Sequence, residues 1–555
     1  MQQLRASLKE LLEWVKKYGP LIFVVAIAAA MRYSWLRELP AGLFPDEAAN
    51  GLDVNLILDG KIQPFFERGN GREGLFFYLL TPAVLVLGRT PFAHHLVSAS
   101  IGILTVLFTY LLIRRWIGPR MAFVAAFLTA VNAWYVTMSR TAFRANLTPL
   151  FILLFLYFAT RVVQSKSRKD YWWSAIGSGL TFGLGFYTYI SYRMMIPLVA
   201  GTAVLLFIAD MRSPQKWSLL KKYWRAITAF CISFLVSISW LAFYFIKNPD
   251  YLGGRAGQVS IFSPDLNNGD LWGTFLLVLK KTLAGFLYIG DFNWRHNVSG
   301  FSFLSFIIAP FFVGGLLFIM FQSVIFIYKI VSRKLSELDY KTNLRRLPFF
   351  LMAALFVIML IPELLTAEGI PHGLRLIGVI PVVFIIPALF IEELLTPRKS
   401  KFLHFLLAVI LTAEFVYGSY LYFGVAGQSR EYQAAFRADL TTVSDYLNKR
   451  DSKDKTYLVL DWFSQQSTEY LTTETNQPYH IVDPASLWTG PNQVKIDRYE
   501  KERLGLALTS GDQVIFTQST LHDTDAFENN YPNAVPIKKE INKFGETVMI
   551  VYEQP

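Results

Sequence analysis

Eleven long apolar runs follow one another along the chain, and they constrain its fold more than any other feature. A helix needs about 20 apolar residues to cross a bilayer, and most of the runs have that length. The shorter ones are extended by aromatic ends. The runs occupy residues 21–36, 92–113, 121–137, 148–163, 171–189, 194–210, 226–246, 301–328, 347–365, 374–394 and 402–424. The sequence therefore predicts a mostly α-helical, polytopic membrane protein with about eleven transmembrane helices.

Composition supports this class. Hydrophobic residues make up 53% of the 555 residues and charged residues only 17%, which excludes a disordered chain and an ordinary soluble enzyme. The chain has one cysteine, Cys231. A disulfide framework and a cysteine-based metal or redox site are therefore excluded as well.

Two further apolar stretches are poor candidates for a span. Residues 75–87 are only 13 long and include Pro82. Residues 271–288 carry Lys280 and Lys281 at their centre, and a lysine at mid-bilayer costs about 3 kcal/mol. Apolar side chains recur there every three or four positions, which is typical of an interfacial amphipathic helix. We predict that neither stretch crosses the membrane.

The basic residues predict the orientation. Six segments between or before the spans contain 25 Lys and Arg but only 5 acids. They all fall on one side if residues 75–87 do not cross. The positive-inside rule then places the N-terminus in the cytoplasm and the C-terminus outside a plasma (inner) membrane. The formal net charge of +12 is thus a topology signal and does not indicate a nucleic-acid partner. The segments are 1–19, 114–120, 161–170, 211–225, 329–346 and 396–401.

Composition changes after residue 424, where the apolar runs end. Three short stretches beyond it, 457–461, 513–517 and 547–552, have strand-like patterns separated by helical and turn-rich segments. We predict a membrane domain over residues 1–424 and a small extracytoplasmic α/β domain over 425–555.

An acidic pair lies in the first outer loop, where Pro45 precedes Asp46 and Glu47. The spacing over residues 46–59 predicts a helix beginning at this point. One interpretation is an acidic cap that favours the helix N-terminus. The other is a catalytic carboxylate held at the membrane surface.

Arginines recur in the short outer loops, where the charge bias predicts few. A single outer arginine usually anchors at lipid headgroups, but several arginines beside acids indicate a phosphate site, because guanidinium groups bind phosphate in a bidentate manner. The outer-loop arginines predicted to bind a lipid phosphate are Arg72, Arg140, Arg144, Arg193 and Arg375.

These motifs together resemble a known superfamily. They are Asp-Glu-Ala at 46–48, Gly-Arg-Glu at 71–73, Ser-Arg-x-x-Phe-Arg at 139–144 and Tyr-Thr-Tyr-x-x-x-Arg at 187–193. Their order resembles the bacterial GT-C glycosyltransferases near family 39, relatives of protein O-mannosyltransferases and lipid A aminoarabinose transferases. The resemblance covers about residues 20–250 and implies a GT-C fold, a polyprenyl-phosphate-linked sugar as donor, and a site open to the outer leaflet. It also implies a hydroxyl of a protein, glycan or lipid as the acceptor.

The resemblance also implies roles for individual residues. Asp46, with Glu47 beside it, is the general base, and Arg140, Arg144 and Arg193 hold the donor phosphate. Further substrate-binding residues are Glu73, Tyr189, Tyr192 and His372. Gly74 stands where the family pattern has proline. Relatives differ in metal dependence, so a divalent metal ion remains open as a cofactor, and no set of ligands is predicted.

The chemistry fits these assignments, because a phosphate is already a good leaving group. The enzyme must activate the acceptor oxygen and stabilise the departing phosphate. A single base suffices for direct displacement with inversion at the anomeric carbon. The loop 247–300, with Asp291, Trp294, Arg295 and His296, is either a cover for the acceptor or an ordinary long loop.

Two alternatives belong to other functional classes. A transporter or flippase of lipid-linked sugars or anions requires ionisable residues deep in several spans, whereas here they lie mainly at the outer ends. A non-catalytic membrane scaffold leaves the acidic pair and the arginine loops without a role.

Overall fold

The computed structural model describes residues 2–213, 215–252, 259–332, 337–395, 400–450, 454–475, 478–482 and 508–555. Its contacts divide the chain into two compact units. The membrane unit comprises Met1–Ser34, Gln63–Phe76 and Leu96–Ala426. The α/β unit comprises Trp35–Ile62, Phe77–His95 and Gly427–Pro555.

A helix forms at each of the eleven predicted spans. Their bounds are Gln2–Tyr33, Pro91–Trp116, Pro119–Val131 with Ala133–Arg140, Leu147–Gln164, Arg168–Gly185, Met195–Arg212, Ser218–Lys247, Ala309–Ser332, Leu347–Leu364, Ile380–Val383 with Ile385–Leu395, and Lys401–Ser419. Among the described residues, nine helices are long and apolar enough to cross a membrane, and a bent pair makes a tenth candidate. The chain is a multi-pass membrane protein of mostly helical fold, with about eleven membrane helices.

The bent pair, Pro119–Val131 and Ala133–Arg140, turns by 62° at Asn132. Asn132 has extended backbone angles, and its side-chain oxygen accepts the Tyr135 N–H at 3.2 Å. Its side-chain amide donates to the Phe303 carbonyl at 3.0 Å. Asn132 therefore caps the second helix and holds the bend.

The helix Arg168–Gly185 forms at the fifth predicted run, 171–189, and is not among these ten candidates. Three charged residues open it, so its apolar part is shorter than in the other spans. It packs between the helices Leu147–Gln164 and Ser218–Lys247. A Cβ at Gly179 would lie 2.3 Å from the Phe230 carbonyl oxygen. This close approach through a small residue is a common way for membrane helices to pack.

The two doubtful stretches also form helices, Leu75–Leu87 and Leu271–Leu287. The first has 13 residues and the second 17. Just before the first, strand β1 (Phe65–Phe66) pairs antiparallel with β2 (Arg72–Glu73). This small hairpin positions Glu73.

The α/β unit contains a five-stranded mixed sheet. Its strands are β3 (Thr456–Val459), β4 (His480–Val482), β5 (Gln513–Thr517), β6 (Val535–Ile541) and β7 (Thr547–Glu553), in the order β4-β3-β5-β7-β6. Strand β3 runs parallel to β4 and β5, whereas β7 is antiparallel to β5 and β6. The three predicted strand stretches are confirmed as β3, β5 and β7.

Helices pack on both faces of this sheet. Leu440, Val443 and Leu447 of the helix Ala438–Lys449 lie in one buried cluster with sheet residues such as Ile515. Phe527, of the helix Thr524–Asn530, lies in the cluster on the other side of the sheet with Phe516 and Tyr552. Side chains of adjacent strand residues point to opposite faces, so Ile515 and Phe516 separate the two cores.

The predicted first-loop helix is also present, over Pro45–Leu58. It packs against the helix Gln465–Leu471 of the same unit. Leu43, Ala48, Leu52 and Tyr470 form a buried cluster between the two helices. The segment with Asp46 and Glu47 therefore belongs to the core of the α/β unit.

Candidate active site

One carboxylate of the membrane unit faces two arginines. Glu73 Oε2 lies 3.1 Å from Arg144 Nε, and Glu73 Oε1 lies 4.0 Å from Arg193 Nη2. The Glu73 side chain is only 4% exposed, whereas Arg144 and Arg193 are 21% and 25% exposed. A single negative charge cannot neutralise two guanidinium groups. This cluster therefore carries one excess positive charge and can receive an anion.

Aromatic rings support both arginines. The guanidinium carbon of Arg144 lies 5.4 Å from the centre of the Tyr189 ring, and that of Arg193 lies 5.5 Å from the Phe245 ring. Arg193 Nη1 also donates to the Leu252 carbonyl. Stacked and hydrogen-bonded arginines lose little freedom when they bind a ligand.

The hairpin that holds Glu73 depends on Gly71. This residue has φ +94° and ψ 140°, a region that only glycine occupies readily. A Cβ at Gly71 would lie 2.3 Å from the Phe65 ring. The Gly-Arg-Glu motif thus has a structural reason for its glycine, since the close contact with Phe65 fixes the register of β1 and β2.

The second outer loop is anchored at both ends. Ser98 Oγ donates to the Thr141 carbonyl at 2.7 Å, and the Asn146 side chain donates to the Ser98 carbonyl at 2.9 Å. Arg144 lies between these anchors and opens the short helical turn Arg144–Asn146. Phe143, just before it, places its ring 5.7 Å from that of His296. The loop thus contacts a second polar cluster of the membrane unit.

That second cluster contains Asp291, His296 and His372. Asp291 Oδ2 lies 3.0 Å from His296 Nδ1 and accepts the Gly373 N–H at 2.8 Å. The rings of His296 and His372 have centroids 4.4 Å apart. One ligand atom from each of the three residues lies within 4.8 Å of the others. These residue types in this arrangement can hold a divalent metal ion.

Burial affects the pKa of both imidazoles of this cluster. It lowers the pKa of His296, and the hydrogen bond with Asp291 offsets part of that effect. The pKa of His372 lies well below its ordinary value because of burial, with His296 and Arg375 adding to the shift. Arg375 itself pairs with Glu368 at 3.5 Å.

Three other predicted residues of the membrane unit are more deeply enclosed. Arg140 is fully buried and donates to the carbonyls of Met31 and Ser34 at 3.0 and 2.8 Å. Tyr192 is fully buried in the hydrophobic core, and Arg72 is 6% exposed. Their substrate roles stay predictions.

In the α/β unit, the two acids Asp46 and Glu47 lie in different environments. Glu47 is fully buried. Its Oε2 accepts the Phe44 N–H at 3.1 Å and its Oε1 lies 3.3 Å from His95 Nε2. Glu47 thus caps the helix Pro45–Leu58, while Asp46, beside it in the first turn, is partly exposed. Of the two acids, Asp46 is the one that a substrate can reach.

The histidines next to this pair have separate partners. His95 contacts Glu47, whereas the His94 ring lies 5.0 Å from that of Tyr470. Neighbouring helical residues point in different directions, so the two imidazoles have different surroundings. The cluster that can hold a metal instead joins Asp291 and His296 to His372, which lies far away in the sequence. No local spacing signals that combination.

Comparisons with known proteins agree with this architecture. Residues 75–240 match the family model described as dolichyl-phosphate-mannose-protein mannosyltransferase. A search of curated proteins finds no matching sequence.

Solved structures share the fold over nearly the whole chain. ArnT from Cupriavidus metallidurans, bound to undecaprenyl phosphate, has a TM-score of 0.53 at 13% identity, covering 96% of this chain and 98% of that one. The archaeal oligosaccharyltransferase AglB from Archaeoglobus fulgidus, in complex with an inhibitory peptide and a dolichol-phosphate, has a TM-score of 0.52 at 13% identity. That alignment covers 98% of this chain and 75% of AglB. The family match over residues 75–240 and the shared fold together support a membrane glycosyltransferase of the GT-C type.

Proposed function

We propose that this protein transfers a sugar from a polyprenyl-phosphate donor to an acceptor hydroxyl on the extracytoplasmic side of the plasma membrane. The observation that carries the proposal is the Glu73 cluster, in which two partly exposed arginines face one buried carboxylate. Arg144 and Arg193 lie within the matched region 75–240. The solved relatives are bound to undecaprenyl phosphate or dolichol-phosphate, which supports a lipid phosphate as the anion.

In this proposal, Arg144 and Arg193 bind the phosphate of the donor. Glu73 positions both guanidinium groups, and Tyr189 stacks against Arg144. As the bond between the anomeric carbon and the phosphate oxygen breaks, negative charge grows on the phosphate. Fixed cations at that place stabilise the transition state more than the ground state.

Asp46 is the proposed general base. The acceptor oxygen attacks the anomeric carbon while its proton passes to the Asp46 carboxylate, and the lipid phosphate leaves. Asp46 lies in the first turn of the helix Pro45–Leu58 and is partly exposed. One displacement by one nucleophile inverts the anomeric configuration.

The proposed orientation follows from the basic segments, which place the N-terminus in the cytoplasm. The donor and acceptor would then meet on the outside, where the acceptor is a protein, glycan or lipid of the cell envelope. The matched family model is described as a protein mannosyltransferase, which supports a protein hydroxyl as one possible kind of acceptor.

Conversion of a labelled donor tests the proposal. Purified full-length protein in detergent is incubated with polyprenyl-phosphate mannose, glucose or arabinose and with solubilised envelope proteins, glycans and lipids as acceptors. The proposal predicts that label moves from one donor to an acceptor and that free polyprenyl phosphate accumulates in equal amount. A transporter or flippase would leave the sugar–phosphate bond intact, and so would a scaffold.

A further inference from the structure

Two loops of the membrane unit bring three metal-binding side chains together. Asp291 and His296 lie between the helices Leu271–Leu287 and Ala309–Ser332, and His372 lies just after the helix Leu347–Leu364. Asp291 and His296 are about 5% exposed each. Among the described residues, this is the one group of three or more histidines, cysteines or acids whose ligand atoms all lie close together.

The distances suit one small ion. The three ligand atoms lie within 4.8 Å of one another, and Asp291 Oδ2 and His296 Nδ1 are 3.0 Å apart. In a tetrahedral zinc site with bonds of about 2.0–2.1 Å, ligand atoms are about 3.3 Å apart. Small rotations of the side chains therefore suffice to bring all three atoms to an ion.

His372 supplies an independent indication. Its Nδ1 is buried and has no hydrogen-bond partner among the described residues. An unsatisfied buried polar atom is costly, and most such atoms in folded proteins have a partner. If Asp291 and His296 only formed a hydrogen-bonded pair, His372 Nδ1 would remain without a partner. An ion shared by the three residues would account for it.

Hydrogen bonds hold the Asp291 carboxylate and the backbone at His372 in place. Asp291 accepts the N–H groups of Gly373 and Asn293, each at 2.8 Å. The backbone N–H of His372 donates to Glu363 Oε1 at 2.9 Å. Metal sites depend on such supporting hydrogen bonds, because these hold the ligands in place before the ion arrives.

The local charges also allow a cation. Arg375 pairs with Glu368, and the Arg295 side chain donates to Asn293 Oδ1 at 3.1 Å. The carboxylate of Asp291 lies at the cluster itself. Glu368 and Asp291 thus balance the charges of Arg375 and Arg295.

We propose that Asp291, His296 and His372 bind one Zn²⁺ ion that ties the loop 289–301 to the loop 366–374. Two imidazoles and one carboxylate are a common zinc ligand set, and three protein ligands leave a fourth position for water or another ligand. The site is separate from the phosphate-binding role given to Arg144 and Arg193. Its test therefore does not depend on the proposed function.

Metal content and binding decide the question. Full-length protein is purified without a polyhistidine tag, treated with a chelator, dialysed and titrated with Zn²⁺ and then Co²⁺. We expect one equivalent of Zn²⁺ by elemental analysis and, with Co²⁺, the visible absorption of a tetrahedral site. Zn²⁺ should also raise the thermal unfolding midpoint by a few degrees, since it binds the folded state.

The variants His372→Gln, His296→Gln and Asp291→Asn should each weaken Zn²⁺ binding by about 100-fold or more, because each removes one of three ligands. The matched control is His522→Gln, which alters another histidine beside a carboxylate, 3.3 Å from Asp523 and 48% exposed. It should bind Zn²⁺ like the wild type. Wild-type protein that binds less than a tenth of an equivalent, or His372→Gln protein that binds Zn²⁺ normally, would overturn the proposal. The wild-type titration decides this even if a variant fails to fold.

Discussion

Replacing Arg144 with alanine should weaken binding of the lipid phosphate far more than it changes the fold. Arg144 uses Nε for Glu73, and its terminal nitrogens have no acceptor among the described residues. They are therefore available for a phosphate. The substitution also removes one of the two positive charges that face Glu73, so the excess positive charge of the cluster disappears.

A hydrogen bond to a charged group contributes about 1.5–3 kcal/mol. Since 1.4 kcal/mol corresponds to a tenfold change in affinity, Arg144→Ala should raise the Kd for undecaprenyl phosphate by about 10- to 100-fold. The Kd of Arg144→Lys should lie between that of Arg144→Ala and that of the wild type, because an ammonium keeps the charge and loses the bidentate geometry.

Native mass spectrometry of purified protein can measure these affinities. The matched control is Arg161→Ala, because Arg161 also pairs with one carboxylate, Asp170, and lies in the last turn of the helix Leu147–Gln164, which begins just after Arg144. Its Kd should stay within about twofold of the wild type. Undecaprenol, which lacks the phosphate, should bind all variants alike. Equal affinity of Arg144→Ala and Arg161→Ala for undecaprenyl phosphate would refute the reasoning.

Further outcomes follow from the glycine in the hairpin and from the proposed topology. Gly71→Ala should destabilise the protein by about 1–3 kcal/mol through its backbone angles alone, and the contact with Phe65 should add to this. Thermal unfolding in detergent measures the loss. Gly88→Ala, with φ +73° and open space around its Cβ, is the control and should unfold at a higher temperature than Gly71→Ala. The topology is tested in a Cys231→Ser background, with intact cells or, where there is an outer membrane, with spheroplasts. A cysteine introduced at position 118 should not react with an impermeant thiol reagent, whereas one at the exposed position 530 should react. Ready labelling at position 118 would contradict the proposed orientation.

Hydrophobic runs predicted the membrane helices well, because this signal is local. Each of the eleven apolar runs contains a helix, and the short run 75–87 forms a helix of 13 residues. The pattern did not show the bend at Asn132, since that bend depends on a hydrogen bond to Phe303 in a distant part of the chain. Strand β6 was also missed. Its residues are mostly exposed, so it lacks the apolar alternation that marks a strand.

The candidate site was predicted in part. The sequence motifs include Glu73, Arg144 and Arg193, and the structure places these three side chains together. They also named Arg140, whose guanidinium lies against buried backbone carbonyls. Sequence position alone cannot separate an arginine that lines a site from one that holds the fold. His372 was named without its partners, because its contact with Asp291 and His296 arises only from tertiary packing.

Turnover by Asp46→Asn tests the central claim most directly. Asparagine caps a helix about as well as aspartate, and Glu47 already caps this one, so the variant should fold and bind undecaprenyl phosphate like the wild type. It cannot accept the proton of the acceptor. Sugar transfer from the labelled donor should therefore fall by about 100-fold or more, the scale of general-base catalysis. Asp59→Asn, at the exposed C-terminal end of the same helix, should keep normal turnover. Near-normal transfer by Asp46→Asn would contradict the account and move the search for the base to Glu47 or Glu73.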